Sequence, residues 1–264
     1  MFDIEFKRIK PIKIIRKLSD TDNAVVFLIK AILDGEEIEC LLKILKLFHH
    51  NNEVKVLTNG YDFTAGLIEY DRPQRYLVYE VAAGEGYLYT SNDEKEEVIR
   101  SSAAVLLRIH HTDFSEPSRR GKSEDLRRIK TTRLYQNNTQ IAEYINDYTE
   151  NKRDYCFIHG DYHLMNLMFD EDGSVITVID WEYCGLYYKE YDLAYAVVPR
   201  MDLYDNIDDV KLFLNSYGES FDKERFLYFY YIIMCYTFEK RDRCSDEAFL
   251  KVMSDVTELM RSGE

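Results

Sequence analysis

Apolar and polar positions change rhythm about a third of the way along the chain. Before residue 84 they fall into short β-branched and aliphatic runs. Residues 24–33 and 36–45 are two such runs around Asp34 and Gly35, a pair suited to a tight hairpin turn. Residues 12–17 predict a strand ahead of them, and 66–70 and 76–81 predict two more on either side of Asp71-Arg72-Pro73. A short helix is expected from Glu53 toward Asn59 and Gly60, with Asn52 as its cap. Beyond Gly84 and Gly86 the period lengthens. Val98, Val105, Leu106 and Ile109 share one face of a helix that Asn92 or Asp93 can cap, and helical patterning returns over 125–150, 207–217, 223–239 and 246–260. A strand-rich island, 155–180, interrupts it. The expected architecture is α+β, with two lobes: 1–83 as a small, mostly antiparallel sheet with one helix, and 84–264 as a mainly helical lobe carrying a loop and a hairpin. The Ala82–Gly86 segment is the expected boundary.

Composition removes some functions without changing that outline. A chain of 264 residues with 46% hydrophobic content suits one large domain or two lobes sharing a cleft. No apolar run approaches the length of a membrane span, and residues 1–17 lack a leader pattern, so no membrane association is expected. Cys40, Cys156, Cys184, Cys235 and Cys244 are scattered and form no C-x-x-C pair; they predict reduced packing residues in a cytoplasmic protein. A net charge of -14 weighs against a nucleic-acid binder. Residues 1–83 hold 12 basic and 13 acidic residues, net -1, leaving 22 and 35, net -13, for the rest. Both a solvated acidic surface and an acidic cleft for a cationic substrate account for this division.

Chemistry concentrates in the island. Phe157-Ile158 lead into the loop His159-Gly160-Asp161-Tyr162-His163-Leu164-Met165-Asn166. Residues 167–169 and 175–179 predict strands about a turn at Asp170–Gly173, so Asn166 and Asp180 flank the open end of a hairpin, with Asp161 on the loop before them. An amide oxygen and a carboxylate beside a further carboxylate suit Mg²⁺. Phosphoryl transfer uses such parts, with metal to clamp phosphates and an Asp near the acceptor hydroxyl. The spacing His159-x-Asp161-x-His163 also admits a zinc hydrolase, but His49, His50, His110 and His111 stand in pairs at no ligand spacing to the loop. His110 is expected to be structural.

H-G-D-x-H-x-x-N followed by I-D-W-E resembles the aminoglycoside phosphotransferase and choline kinase group of kinase-like enzymes. The loop has H-G-D where protein kinases have H-R-D, and the resemblance in order runs from about Ser19 to Val198. It implies a protein-kinase-like fold with a nucleotide-binding first lobe and a catalytic, substrate-binding second lobe. By that resemblance Asp161 orients the acceptor hydroxyl and takes its proton, Asn166 and Asp180 hold Mg²⁺, and Lys43 grips the phosphates of ATP or GTP. Glu53 is the candidate partner of Lys43, Glu80 and Val81 offer backbone groups to the base, and His159 and Asp192 support the loop. Lys46 competes with Lys43, but Lys43 lies mid-strand between apolar pairs. Plainer roles are a helix-first-turn acid for Glu53 and a helix cap for Asp192.

The stretch Ser19-Asp20-Thr21-Asp22-Asn23 lacks the glycines of a protein-kinase phosphate loop. Backbone amides from Ser19 to Asn23 are expected to serve, with Asp20 and Asp22 turned outward. D-F-G and A-P-E are missing too, which points to a small-molecule acceptor. Loss of Asp161, Asn166, Asp180 or Lys43 would have marked a non-catalytic binding protein; all four are present. Trp181, Tyr183, Tyr187, Tyr188, Tyr191 and Tyr195, alongside Glu182 and Glu190, suit either a cation site or ordinary core, with Trp181 and Glu182 as candidate contacts. An aminoglycoside is the first expected acceptor; choline, another amino alcohol or a sugar is the second. A monomer or weak dimer is expected.

Overall fold

The structure is a computed structural model describing residues 4–46, 51–87, 92–114, 126–149, 154–199, 203–204, 206–240 and 246–262. His49, His50 and Cys244 lie outside these residues, as do the side chains of Asn92 and Asp93. Strands β1 (Ile9–Asp20), β2 (Ala24–Leu33) and β3 (Glu36–Leu45) come first, then helix α1 (Asn51–Asn59) and strands β4 (Leu67–Asp71) and β5 (Tyr76–Glu80). They make one five-stranded antiparallel sheet in the order β1-β2-β3-β5-β4. Asp34 and Gly35 both take positive φ, 52° and 92°, as a two-residue hairpin turn requires.

β1 is longer than its apolar core suggests. It is the exposed edge, and Pro11, a run of basic residues and three register shifts against β2 blunt it. Side-chain alternation gives β3 two faces. Cys40 and Leu42 join Ile29, Ala31, Tyr76 and Val78 in a core of the sheet's own, whereas Lys43 and Leu45 lie on the opposite face, where Leu45 joins the main core. α1 presents buried Glu53, Val56 and Leu57 from adjacent turns. Asn52 is not its cap. It is buried inside the helix, and its Nδ2 donates to the carbonyl of Cys184 at 2.8 Å.

In the segment after the sheet, β6 (Glu85–Gly86) pairs with Phe169 and Met168 in β8 (Leu167–Phe169), itself the partner of β9 (Val175–Val178). Helix α2 (Asn92–His110) buries Val98, Ile99, Ala103, Val105, Leu106 and Ile109 as its periodicity requires. The 125–150 region is three short helices, α3 (Leu126–Ile129), α4 (Arg133–Asn137) and α5 (Thr139–Asp147), broken where Thr132 and Asn138 act as N-caps. Besides β6, two elements were not expected. Strand β10 (Gly185–Tyr187) pairs with β7 (Cys156–Ile158), and helix α6 (Lys189–Ala196) follows it. α7 (Ile207–Tyr217), α8 (Lys223–Lys240) and α9 (Asp246–Arg261) complete the helical part. Among the described residues no helix is long and apolar enough to cross a membrane. The fold is α+β, an antiparallel sheet region followed by a helical region.

Candidate active site

The loop after β7 is held from beneath. Asp192, wholly buried on α6, accepts the backbone N–H of His159 (2.7 Å) and of Gly160 (2.8 Å) on its two oxygens. It is a clamp inside the helix rather than a cap, and its Oδ2 also lies 3.4 Å from His110 Nε2. Gly160 has φ 87°, a conformation that favours glycine, which gives H-G-D a local reason. His159 is fully buried. Its Nε2 donates to the carbonyl of Ile179 (2.9 Å), and its Nδ1 accepts the N–H of Asp161 (3.2 Å). Burial holds it neutral by lowering its pKa, against the pull of Asp192 and Asp161. The residue therefore ties the loop to the end of β9, one position before Asp180.

Asn166 and Asp180 stand at the open end of the β8–β9 hairpin, joined by the N–H of Ile179 donating to the carbonyl of Asn166 (2.9 Å). Asn166 Nδ2 donates to the Asp161 carbonyl (2.9 Å) and to Asp161 Oδ2 (3.2 Å), so its Oδ1 is the atom left for a ligand. Burial would raise the Asp161 carboxyl, but bonds from His163 and Tyr195 outweigh it and hold it well below the usual carboxylate range. Asp180 goes the other way, pushed up to about 6 by the protein packed around it and by Glu182, Glu53 and Asp161, with Lys43 opposing, although its side chain stays 43% exposed. Its backbone is left-handed, φ 62° and ψ 60°, a conformation in which Asp is enriched.

Lys43 reaches this group from β3. Its Nζ lies 2.7 Å from Glu53 Oε1, 3.3 Å from Asp180 Oδ1 and 3.7 Å from Glu182 Oε2. Lys43 and Glu53 are each 3% exposed. Burial alone would lower the Lys43 pKa, but Glu53 and Asp180 more than offset it and raise it. Lys46, the competitor, instead bonds the Asp20 carboxylate and the Thr21 carbonyl, both at 2.6 Å.

The remaining candidates fall less simply. Asp20 is turned to Lys46 and Lys17, which pull its carboxyl down to about 2. Ser19 lies within the paired part of β1. The N–H groups of Thr21 and Asn23 are bonded within the turn, to Ala24 O and Thr21 Oγ1, so the expected row of free amides is not formed. Asn23 contributes through its side chain instead, donating from Nδ2 to Glu182 Oε1 (3.0 Å) and to Tyr183 Oη (2.9 Å). The Glu80 N–H is already given to the Gly66 carbonyl, while Val81 is 47% exposed. Trp181 is corrected outright. At 1% exposure it packs on Phe157, His159 and Phe63, with its N–H on the Val178 carbonyl, so it offers no face to a ligand. Glu182 lies beside Lys43 and Asn23.

Tyr187, Tyr188 and Tyr191 pack against Phe229 as core. Buried Arg225 lies 4.2 Å from the Tyr188 ring and pairs with Glu190, which is equally buried. Of the tyrosine run, Tyr195 bonds Asp161 and Tyr183 stays 40% exposed. Among the described residues no three His, Cys, Asp or Glu side chains form a metal cluster. His163, two residues after Asp161, was the legible signal missed: its ring meets Asp161 Oδ2 at 3.5 Å.

An antiparallel sheet lysine paired with a helix glutamate, above a clamped Asp loop and an Asn/Asp hairpin, defines a kinase-like phosphotransferase. The sequence model of the phosphotransferase enzyme family matches residues 34–227, and the chain belongs to that family. Membership makes it a phosphotransferase. A protein LicA homolog of Mycoplasma capricolum subsp. capricolum is 26% identical over 189 residues, 66% of this chain and 75% of its own. Choline kinase LicA from Streptococcus pneumoniae superposes with a TM-score of 0.60 at 13% identity, covering 96% of this chain and 94% of its own. ADP-bound aminoglycoside phosphotransferase APH(2'')-Ib gives 0.55 at 16% identity, covering 98% and 94%. At these identities the two structural likenesses are likenesses of fold.

Proposed function

We propose that the protein transfers the γ-phosphoryl group of ATP or GTP, as its Mg²⁺ complex, to a hydroxyl of a small cationic acceptor. The observation that carries this reading is the convergence of Lys43, Glu53, Asp180, Asn166 and Asp161 from three separate stretches of chain. Residues 1–83 serve as the nucleotide lobe and 84–264 as the catalytic and acceptor lobe. Lys43, fixed by Glu53, grips phosphate oxygens. Asp161, held ionised, orients the acceptor hydroxyl and receives its proton; His159 and Asp192 hold the loop in place. The donor set suits Mg²⁺, since Asn166 keeps Oδ1 free and Asp180 sits among carboxylates whose mutual repulsion a divalent cation relieves. When bound, the metal neutralises charge on the transferring phosphate. Asn23 and Glu182 border the phosphate side of the cleft, and Val81 lies at the base end.

An aminoglycoside is the first acceptor to test, as the acidic 84–264 segment suits a polycation and a bound aminoglycoside kinase shares the fold. Choline or a related amino alcohol is the second, and the LicA homolog, similar in sequence as well as fold, favours it. The protein works in the cytoplasm as a monomer or weak dimer, without nucleic acid or membrane. The test is ATP consumption with Mg²⁺ across aminoglycosides, choline, ethanolamine, thiamine and simple sugars. Turnover with one of them is expected, and Asp161→Ala should abolish it while leaving the melting temperature near wild type. Unchanged turnover in that variant would falsify the mechanism.

A further inference from the structure

We propose that His163 is a positioning residue for Asp161, with its Nε2–H facing the carboxylate and holding it in place for the acceptor. This rests on the phosphotransferase reading above. His163 is the N-cap of the short 3-10 turn Leu164–Asn166, where its Nδ1 accepts the backbone N–H of Met165 at 3.2 Å. A ring nitrogen that accepts carries no proton, so the single proton of the neutral ring sits on Nε2. That nitrogen lies 3.5 Å from Asp161 Oδ2.

Asn166 Nδ2 is also 3.5 Å from His163 Nε2, but it is directed to two nearer acceptors, the Asp161 carbonyl and Oδ2. The Asp161 carboxylate is therefore the acceptor that the His163 N–H faces, at 3.5 Å, longer than a normal hydrogen bond. The ring is held for this. It is 12% exposed and stacks on Tyr195 with centroids 5.9 Å apart and planes 20° from parallel, and Tyr195 in turn bonds Asp161. Contacts of this kind tighten when the reacting groups are in place. Asn166 bonds the carboxylate, and His163 and Tyr195 stand beside it, so its rotation is confined. Catalysis depends on that rotation, since a misplacement of about 1 Å can cost about a hundredfold in rate.

The two jobs of the ring can be separated by side-chain length. Asparagine places an oxygen near the Nδ1 position, keeping the cap, but stops short of Asp161. Glutamine reaches the Nε2 position with an N–H but gives up the cap. With Mg-ATP and, as acceptors, choline and a mixture of aminoglycosides, His163→Asn should keep the melting temperature and lose about tenfold to a hundredfold in kcat, with KM for ATP nearly unchanged. His163→Gln should lose melting temperature yet keep most of kcat, and His163→Ala should lose both. Full turnover by His163→Asn, or a fall of His163→Gln to the level of His163→Ala, overturns the proposal. ¹⁵N NMR of the wild-type imidazole gives a second reading that needs no turnover. An Nε2–H tautomer whose Nε2 resonance moves in Asp161→Asn upholds the contact; an Nδ1–H tautomer, or no response, overturns it. If the wild-type protein turns over neither acceptor, that choice of acceptors fails and the NMR result alone decides this one.

Discussion

Lys43 shows how much one buried charge can demand of its neighbours. Its ammonium lies under 4 Å from three carboxylates, but the pair with Glu53 is the one removed from water on both sides. Taking away one member of such a pair leaves the other charged and buried, which typically costs about 3–5 kcal/mol. Lys43→Met should therefore lose about that much stability in urea denaturation, together with its turnover. The double variant Lys43→Met/Glu53→Leu should regain much of the stability and none of the activity. A single variant as stable as wild type would mean that Glu53 is solvated after all. Asp180 makes the opposite demand. Its folded pKa, about 6, lies above the ordinary 3.8, so the folded chain binds this proton more tightly than the unfolded chain does. Stability therefore falls as pH rises from 3.8 toward about 6, and the deficit persists above that. In metal-free protein, Asp180→Asn should raise the melting temperature above about pH 6 and change it little below 3.8. Because Mg²⁺ needs the ionised form, its affinity should weaken as pH drops through about 6. Melting curves against pH, with and without MgCl₂, check both; a pH-independent effect of the substitution counts against the assignment.

At the scale of elements, α6 decides the geometry of the loop. It carries Asp192 and Tyr195 at an i, i+3 spacing that turns both toward 159–161, and Glu190 anchors its first turn on buried Arg225 and the N–H of Asp222. Asp192→Ala would strand two buried N–H groups, so a loss of about 3–5 kcal/mol is expected, with loss of turnover. Asp208→Ala, on the exposed first turn of α7, should stay within about 0.5 kcal/mol of wild type in the same denaturation series. Little of α6 was legible in the sequence, and the reason is physical. Glu190, Tyr191, Asp192, Leu193 and Ala194 are all buried, so no polar face marks the helix. The β2–β3 and β8–β9 hairpins were legible because the pleat alternates side chains and Asp34-Gly35 and Asp170–Gly173 punctuate them. Lys43 and Glu53 could be paired on the page by an expected strand and helix. Asn52 could not: its partner is 132 residues away, and a helix-leading Asn reads as a cap wherever packing is unknown. Trp181 had the same fault, since aromatic residues announce core and ligand face alike until burial separates them.

For the whole molecule, charge is the property that spans both proposed lobes and bears on both substrates. Residues 1–83 are nearly neutral, with 12 basic against 13 acidic residues, and half of those basic residues fall in 7–17, along β1 and the approach to it. Residues 84–264 carry net -13, which draws cations and repels anions over distances of about the screening length, about 8 Å at physiological salt. An acceptor's gain from such a field scales with its own charge. A polycationic aminoglycoside should therefore lose far more than singly charged choline when salt is added. Raising NaCl from about 50 to about 300 mM should increase KM several-fold for an aminoglycoside and less than about twofold for choline. KM for ATP, an anion approaching an acidic protein, should hold or fall slightly. The comparison discriminates because all three ligands meet the same protein under the same salt, so a general loss of activity would move them together. An aminoglycoside KM that ignores salt would assign the acidity to surface hydration, and the acceptor would then be chosen by contacts near Asp161 alone. A KM that climbs steeply only for the polycation would make the field of residues 84–264 part of acceptor recognition.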